Sequence, residues 1–207
     1  MAGIIEVKDQ GKLRIYDADN SHYTDIVVPS SVTANRTITL PDASFTVPTA
    51  DTVGGITMAD MFRLTAVKNN NSAITANLER CDEASFGRIG TGMSQSSGLF
   101  TFPATGIYQV LVSATIRSVS DNNSMLVTEV TRNNGTAFAD VAYLNTGNAT
   151  SSIVTATVSG SALIDVTDVG QVKVRFYATS LATTNCFISG NTAYNETSFS
   201  FIRLGDT

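Results

Sequence analysis

The residues best placed for chemistry stand in "LRIYDADNSHYTDIVV", residues 13–28, where oxygen-bearing side chains recur at Asp17, Asp19, Ser21, Tyr23 and Asp25. A calcium loop takes ligands with that alternation, together with a Gly at its sixth position and a bidentate Glu at its twelfth. Counted from Asp17, those two positions are His22 and Val28. The sharp bend and the bidentate ligand are both missing, and the flanks "LRIY" and "DIVV" are β-branched or aromatic rather than helical. The stretch is expected to be a polar turn between two strands, and no metal is assigned to it.

Other reactive types are sparse. A Ser/His/Asp set needs a base within hydrogen-bond reach of its nucleophile, and His22 is the single histidine of the chain. It falls in that same turn and is expected to be a solvated turn residue. Asp82 and Glu83 form an adjacent acidic pair. Neighbours on a strand point to opposite faces, so the pair suits a turn better than glycoside hydrolysis. "GRIGTGMSQSSG", residues 87–98, offers Gly87, Gly90 and Gly92. No helix follows to complete a phosphate cradle, and a surface loop is expected. Cys81 and Cys186 have neither metal nor redox spacing. Free thiols are favoured over a disulfide. No catalytic residue and no cofactor is expected, so the chain reads as non-enzymatic.

Composition narrows the partners. Of 207 residues only 15% are charged, 43% are hydrophobic, Trp is absent, and the net charge is −5. Thirteen scattered Lys and Arg cannot form the clustered cationic surface that nucleic acid requires. No apolar run is long enough for a membrane helix, and "MAGIIEVKDQGK" lacks a basic start followed by an apolar core. Neither nucleic acid nor membrane is expected as a partner.

The elements that must position these residues are strands. Short alternating runs recur between Gly, Asn, Asp and Ser, and none shows helical periodicity. Residues 1–55 carry brief runs, "IIEV", "LRIY", "DIVV", "RTITL" and "SFTV". Two-stranded ribbons of that size are marginal in water, so this segment is expected to need another surface. "PTADTVGGIT", residues 48–57, reads as a linker. Residues 56–207 hold longer strands. "GIYQVLVSATIR" alternates Tyr108, Val110, Val112, Ala114 and Ile116 with Gln109, Leu111, Ser113 and Thr115. "SSIVTATVSGSALIDV" alternates in the same way, with Gly160 as a possible bulge, and "VKVRFYA" buries Val172, Val174 and Phe176. Eight to ten such strands joined by polar turns indicate a two-sheet sandwich or jelly roll. The last run, "ETSFSFIRL", is apolar on both faces and is either central in its sheet or sealed by another subunit.

Three segments resemble one family. "GLFTFPATGIYQVLVSATI" is similar to the G-x-F-x-x-P-x-x-G-x-Y segment of the globular heads of complement and tumour-necrosis-factor-like proteins. "SGSALIDVTDVGQVKVRFYA" and "ETSFSFIRLGD" resemble two further segments of the same heads, in the same order, with Gly160, Leu163, Gly170 and Val172 in place. The resemblance implies an all-β, ten-strand jelly roll that packs as a homotrimer, with Tyr108, Phe199 and Phe201 expected at the trimer interface. Gln171 stands where the family usually has Asp, and no calcium site is carried over.

The leading segment "KLRIYDADNSHYTDIVVPSSVTANRTITLPDASFTVP" resembles one found near the start of bacteriophage fibre and virion proteins. That implies a strand-and-turn anchor, with Leu13, Ile15, Tyr16, Tyr23, Ile38 and Leu40 expected to dock on the particle. The expectation is a virion protein made in the host cytoplasm. It is either a capsid decoration or cement protein held by the major capsid protein or another virion protein, or a short tail or head fibre. A host surface glycan is a further expected partner of the head, with Tyr143, Tyr177 and Tyr194 as candidate platforms.

Overall fold

The computed structural model describes residues 13–27, 34, 37, 55–81 and 84–207. The chain forms two units, Met1–Val47 and Pro48–Thr207, and each is described by itself. Most of the expected linker, together with Ile38, Leu40, Asp82 and Glu83, lies outside the described residues.

In the first unit β1 (Leu13–Tyr16) and β2 (Tyr23–Ile26) form an antiparallel hairpin with Leu13 opposite Ile26 and Tyr16 opposite Tyr23. Because side chains alternate along a strand, one face carries Leu13, Ile15 and Ile26, and the other carries Arg14, Asp25, Tyr16 and Tyr23. The polar face is tied together. Arg14 Nε and Nη2 donate to the two Asp25 oxygens at 2.7 and 2.9 Å, and the Arg14 guanidinium lies 3.5 Å over the Tyr23 ring. On the apolar face Leu13, Ile15 and Ile26 are each about half exposed.

The second unit is an antiparallel sandwich. Its strands are β3 (Ala59–Leu64), β4 (Ser72–Ala73), β5 (Leu78–Arg80), β6 (Ser94–Ser96), β7 (Leu99–Thr101), β8 (Gly106–Ser118), β9 (Asp121–Thr131), β10 (Ala139–Asn148), β11 (Val154–Val166), β12 (Lys173–Thr179), β13 (Phe187–Ile188) and β14 (Ser198–Gly205). One sheet runs β11-β8-β14-β3-β5 and the other β10-β9-β12-β7-β6, which gives the ten strands expected, with the two-residue β13 and β4 added beside β8 and β12. No described residue is helical.

The alternation read in the sequence holds. Tyr108, Val110, Val112, Ala114 and Ile116 of β8 all face inward and are buried, as are Val174 and Phe176 of β12. The two sheets meet through aromatic rings: Phe176 stacks on Phe199 at 4.0 Å, and Phe100 packs edge-on to Phe62 and tilted to Phe201, each at 5.1 Å. Such pairs add about 0.5–1.5 kcal/mol each beyond their buried area.

β14 is central, hydrogen-bonded to β8 on one side and to β3 on the other. Its inward residues Phe199 and Phe201 are buried in the sandwich, whereas Ile202 is only partly buried and Leu204 is about half exposed. Gly160 makes no bulge, since β11 and β8 pair without a break from Val154 opposite Ser118 to Val166 opposite Gly106. Its missing side chain leaves room for Leu144, which a Cβ would touch at 3.4 Å. The glycine-rich stretch is also more ordered than a loop, because Ile89 bridges Ala59 and Ser94–Ser96 is a strand.

Candidate interaction surfaces

The turn between β1 and β2 spends its own oxygens. Asp17 Oδ2 accepts from Ser21 Oγ and from the His22 backbone N–H, both at 3.1 Å, and Asp19 Oδ1 accepts from the Ser21 N–H at 3.0 Å. The Ser21 bonds hold the Asp19 carboxyl below its ordinary value. Asp25 is taken up by Arg14. Ser21 Oγ lies 2.7 Å and Asp17 Oδ2 3.4 Å from His22, but both approach the same nitrogen, Nδ1. A proton relay needs the nucleophile and the acid on opposite nitrogens, so this trio is a hydrogen-bonded turn. No group of three His, Cys, Asp or Glu among the described residues could hold a metal ion.

Two carboxylates deep in the sandwich are also fully engaged. Asp60 receives Arg80 Nε at 3.0 Å, Arg80 Nη2 at 3.0 Å, the Met93 N–H at 2.7 Å and the Met61 N–H at 3.0 Å. Asp121 accepts from Ser124 Oγ at 2.6 Å and from the N–H groups of Asn123 at 2.9 Å and Ala182 at 3.2 Å. Burial alone pushes the Asp121 carboxyl up, and these bonds, Ser124 foremost, outweigh it and hold the pKa below its ordinary value. Each locks loops together. Cys81 and Cys186 are not joined to each other: Cys186 is buried with its Sγ 3.4 Å from the Val119 carbonyl, and the half-buried Cys81 donates from Sγ to Asn195 Oδ1 at 3.3 Å.

Tyr108, Phe199 and Phe201, expected at a subunit seam, are fully enclosed by their own chain. Their rings join the two sheets, and Tyr108 Oη donates to the Ala104 carbonyl at 2.9 Å. Side chains already covered within one sandwich have no surface left for another copy, so this assignment is corrected: they are core. The anchor residues Leu13, Ile15, Tyr16 and Tyr23 do lie on the surface of the hairpin, each about half exposed.

The surface that sequence reasoning missed is the outer face of β11-β8-β14. Registers align its outward residues in rows: Leu163 with Gln109 and Ile202, Ser161 with Leu111 and Ser200, Ser159 with Ser113 and Ser198. Beyond them Thr157 and Thr115 share a hydroxyl bond at 2.9 Å. None of these side chains is charged, while Leu163 is 69% and Leu111 40% exposed. The signal was present in the sequence as the polar half of each alternating strand, where Leu replaces Ser twice. Charge begins only at the margins, with Glu79 on β5, ion-paired to the buried Arg63 of β3, and with Arg117 and Asp165 toward the strand ends. Beside Leu163 a groove of about 310 Å³ opens between Val130, Arg132, Phe138 and Val141.

The opposite sheet presents Tyr143 and Tyr177 on its outer face, one on either side of Val127. Tyr194 is exposed but lies in the segment between β13 and β14, outside that sheet.

No family model and no curated protein matches the sequence. Solved structures do resemble the fold. The structure of Eiger TNF from S. frugiperda superposes with a TM-score of 0.57 at 11% identity, over 74% of this chain and 96% of that one. Murine APRIL superposes with a TM-score of 0.47 at 11% identity, over 71% of this chain and 98% of that one. At such identities the likeness is one of fold, and the Pro48–Thr207 unit is a jelly-roll sandwich of the tumour-necrosis-factor type.

Proposed function

We propose that the chain is a non-enzymatic structural protein of a bacteriophage particle, a homotrimer in which the outer faces of β11-β8-β14 meet. In this reading the β1–β2 hairpin is part of an arm that docks on the particle, and the jelly roll projects outward as a capsid decoration or cement protein. The observation that carries it is that the described strands of each unit expose apolar side chains on a face without charge. Leu163 and Leu111 stand open on the sandwich, and Leu13, Ile15 and Ile26 stand open on the hairpin. Exposed apolar surface flanked by polar residues marks association sites. The likeness of the leading segment to phage fibre and virion proteins supplies the particle. An arm of about 50 residues reaches at most roughly 170 Å even when fully extended, which suits a short attachment better than a long shaft.

The reading is tested by placing charge on the sandwich face. Leu163→Arg combined with Leu111→Glu should convert the trimer to a monomer by light scattering with its far-ultraviolet circular dichroism unchanged, because neither side chain is in the core, and the melting temperature should fall only by what association contributed. A wild-type chain that is monomeric at micromolar concentration defeats the trimer. Gold-labelled antibody to the head should cover the whole shell of the virion. Label confined to one vertex would replace decoration by a fibre.

A further inference from the structure

Arg175 on β12 is a fixed cation with four of its five N–H donors unpartnered among the described residues. Its Nε donates to Glu129 Oε2 at 2.6 Å, and its guanidinium lies 3.4 Å over the ring of Phe138 and 5.7 Å from that of Tyr177. Neither Nη atom has a hydrogen-bond partner among the described residues, although the side chain is 28% exposed. Stacking on one side and an ion pair on one edge hold the remaining edge toward solvent. A guanidinium held in this way loses little freedom when it meets a ligand.

Next to it, β10 supplies an acceptor. Asp140 pairs with Glu129 in register, and a bulge between Asp140 and Ala142 brings Tyr143, three residues on, to the same face. The Tyr143 hydroxyl donates to Asp140 Oδ2, and this bond raises the Tyr143 pKa. The second Asp140 oxygen has no partner among the described residues. Tyr143 is 58% exposed, and Tyr177 stands in the same row across Val127. Two strand spacings separate them, about 10 Å. The face therefore combines two tyrosines, an open pair of N–H donors and an open carboxylate oxygen.

We propose that this outer face of β10-β9-β12 binds a neutral pyranose of a surface polysaccharide. A sugar ring has an apolar C–H face for an aromatic side chain, and vicinal hydroxyls that can accept from Arg175 Nη and donate to Asp140. An anionic sugar fits worse, because Arg175 is already neutralised by Glu129 and Asp140 adds a negative charge. A protein partner would need a broader apolar centre than two tyrosines around a buried Val127. The inference goes beyond the structural role and does not depend on it, since the platform lies on the sheet opposite the proposed seam.

The full-length protein should be run by native electrophoresis through gels containing dextran, mannan, galactan or alginate. Retardation is expected in at least one of the three neutral polymers. Tyr143→Ala and Asp140→Asn should each weaken it tenfold or more at unchanged melting temperature, while Tyr194→Ala, an exposed tyrosine away from the platform, should migrate as wild type. Migration unaffected by every neutral polymer, retardation by alginate alone, or retardation that survives Tyr143→Ala would each overturn the proposal.

Discussion

Asp121 shows how one buried carboxylate can set the acid limit of the fold. Its folded-state pKa lies below its ordinary value because Ser124, Asn123 and Ala182 donate to the charged form. A carboxyl depressed on folding contributes stability above its unfolded pKa, and that contribution is lost as pH falls through the folded value. Urea denaturation between pH 6 and pH 3 should show wild-type stability dropping at the acid end. In Asp121→Asn the acid-side slope should be shallower and the stability near neutrality lower. Equal slopes would mean that other carboxyls dominate. At this scale the sequence was legible in the polar turn between β1 and β2, which it placed correctly. His22 and the Asp17 turn lacked a partner at the right position, and the structure shows their oxygens used locally. It was misleading for Tyr108, Phe199 and Phe201, because an aromatic that bridges two sheets and one that bridges two subunits obey the same alternation.

The elements were legible wherever period-two alternation ran long enough. β8, β11 and β12 follow from it directly, and β14, which had two readings, takes the central place in its sheet. Short strands were not legible. β6 and β7 have three residues each and are joined by Ser97 and Gly98, both at positive φ, 49° and 78°. That is the two-residue hairpin whose twist matches its strands. Gly98 also presses against β4's exit, where an added Cβ would lie 1.8 Å from the Ile74 carbonyl oxygen. Gly98→Ala must therefore strain the turn and displace a neighbouring segment. Its expected cost is at least about 2 kcal/mol in chemical denaturation. A change under about 0.5 kcal/mol would show that the hairpin can shift freely.

For the whole molecule, the absence of charge along the β11-β8-β14 rows predicts how assembly responds to solvent. Ion-paired interfaces weaken as the screening length falls from about 10 Å at 0.1 M salt to about 3 Å at 1 M. Contact through Leu, Ser and Thr should not weaken. The trimer fraction in sedimentation should hold or rise across that range, and dissociation at high salt would point instead to the Glu79, Arg117 and Asp165 margins. The proposed seam was hard to read in the sequence because a solvent-facing Ser or Thr looks the same whether water or another copy would cover it. The registers add what the sequence alone did not give, that Leu163 and Leu111 stand near each other among hydroxyl side chains.

The sandwich turns the outward surfaces of its two sheets in opposite directions. Copies joined through one surface would display the other three times around a common axis, and many more times across a decorated shell. Attachment would then be governed by avidity. Each contact could remain weak and quickly reversible while the particle as a whole stays bound, since release of one copy leaves its neighbours holding the same polymer at high effective concentration.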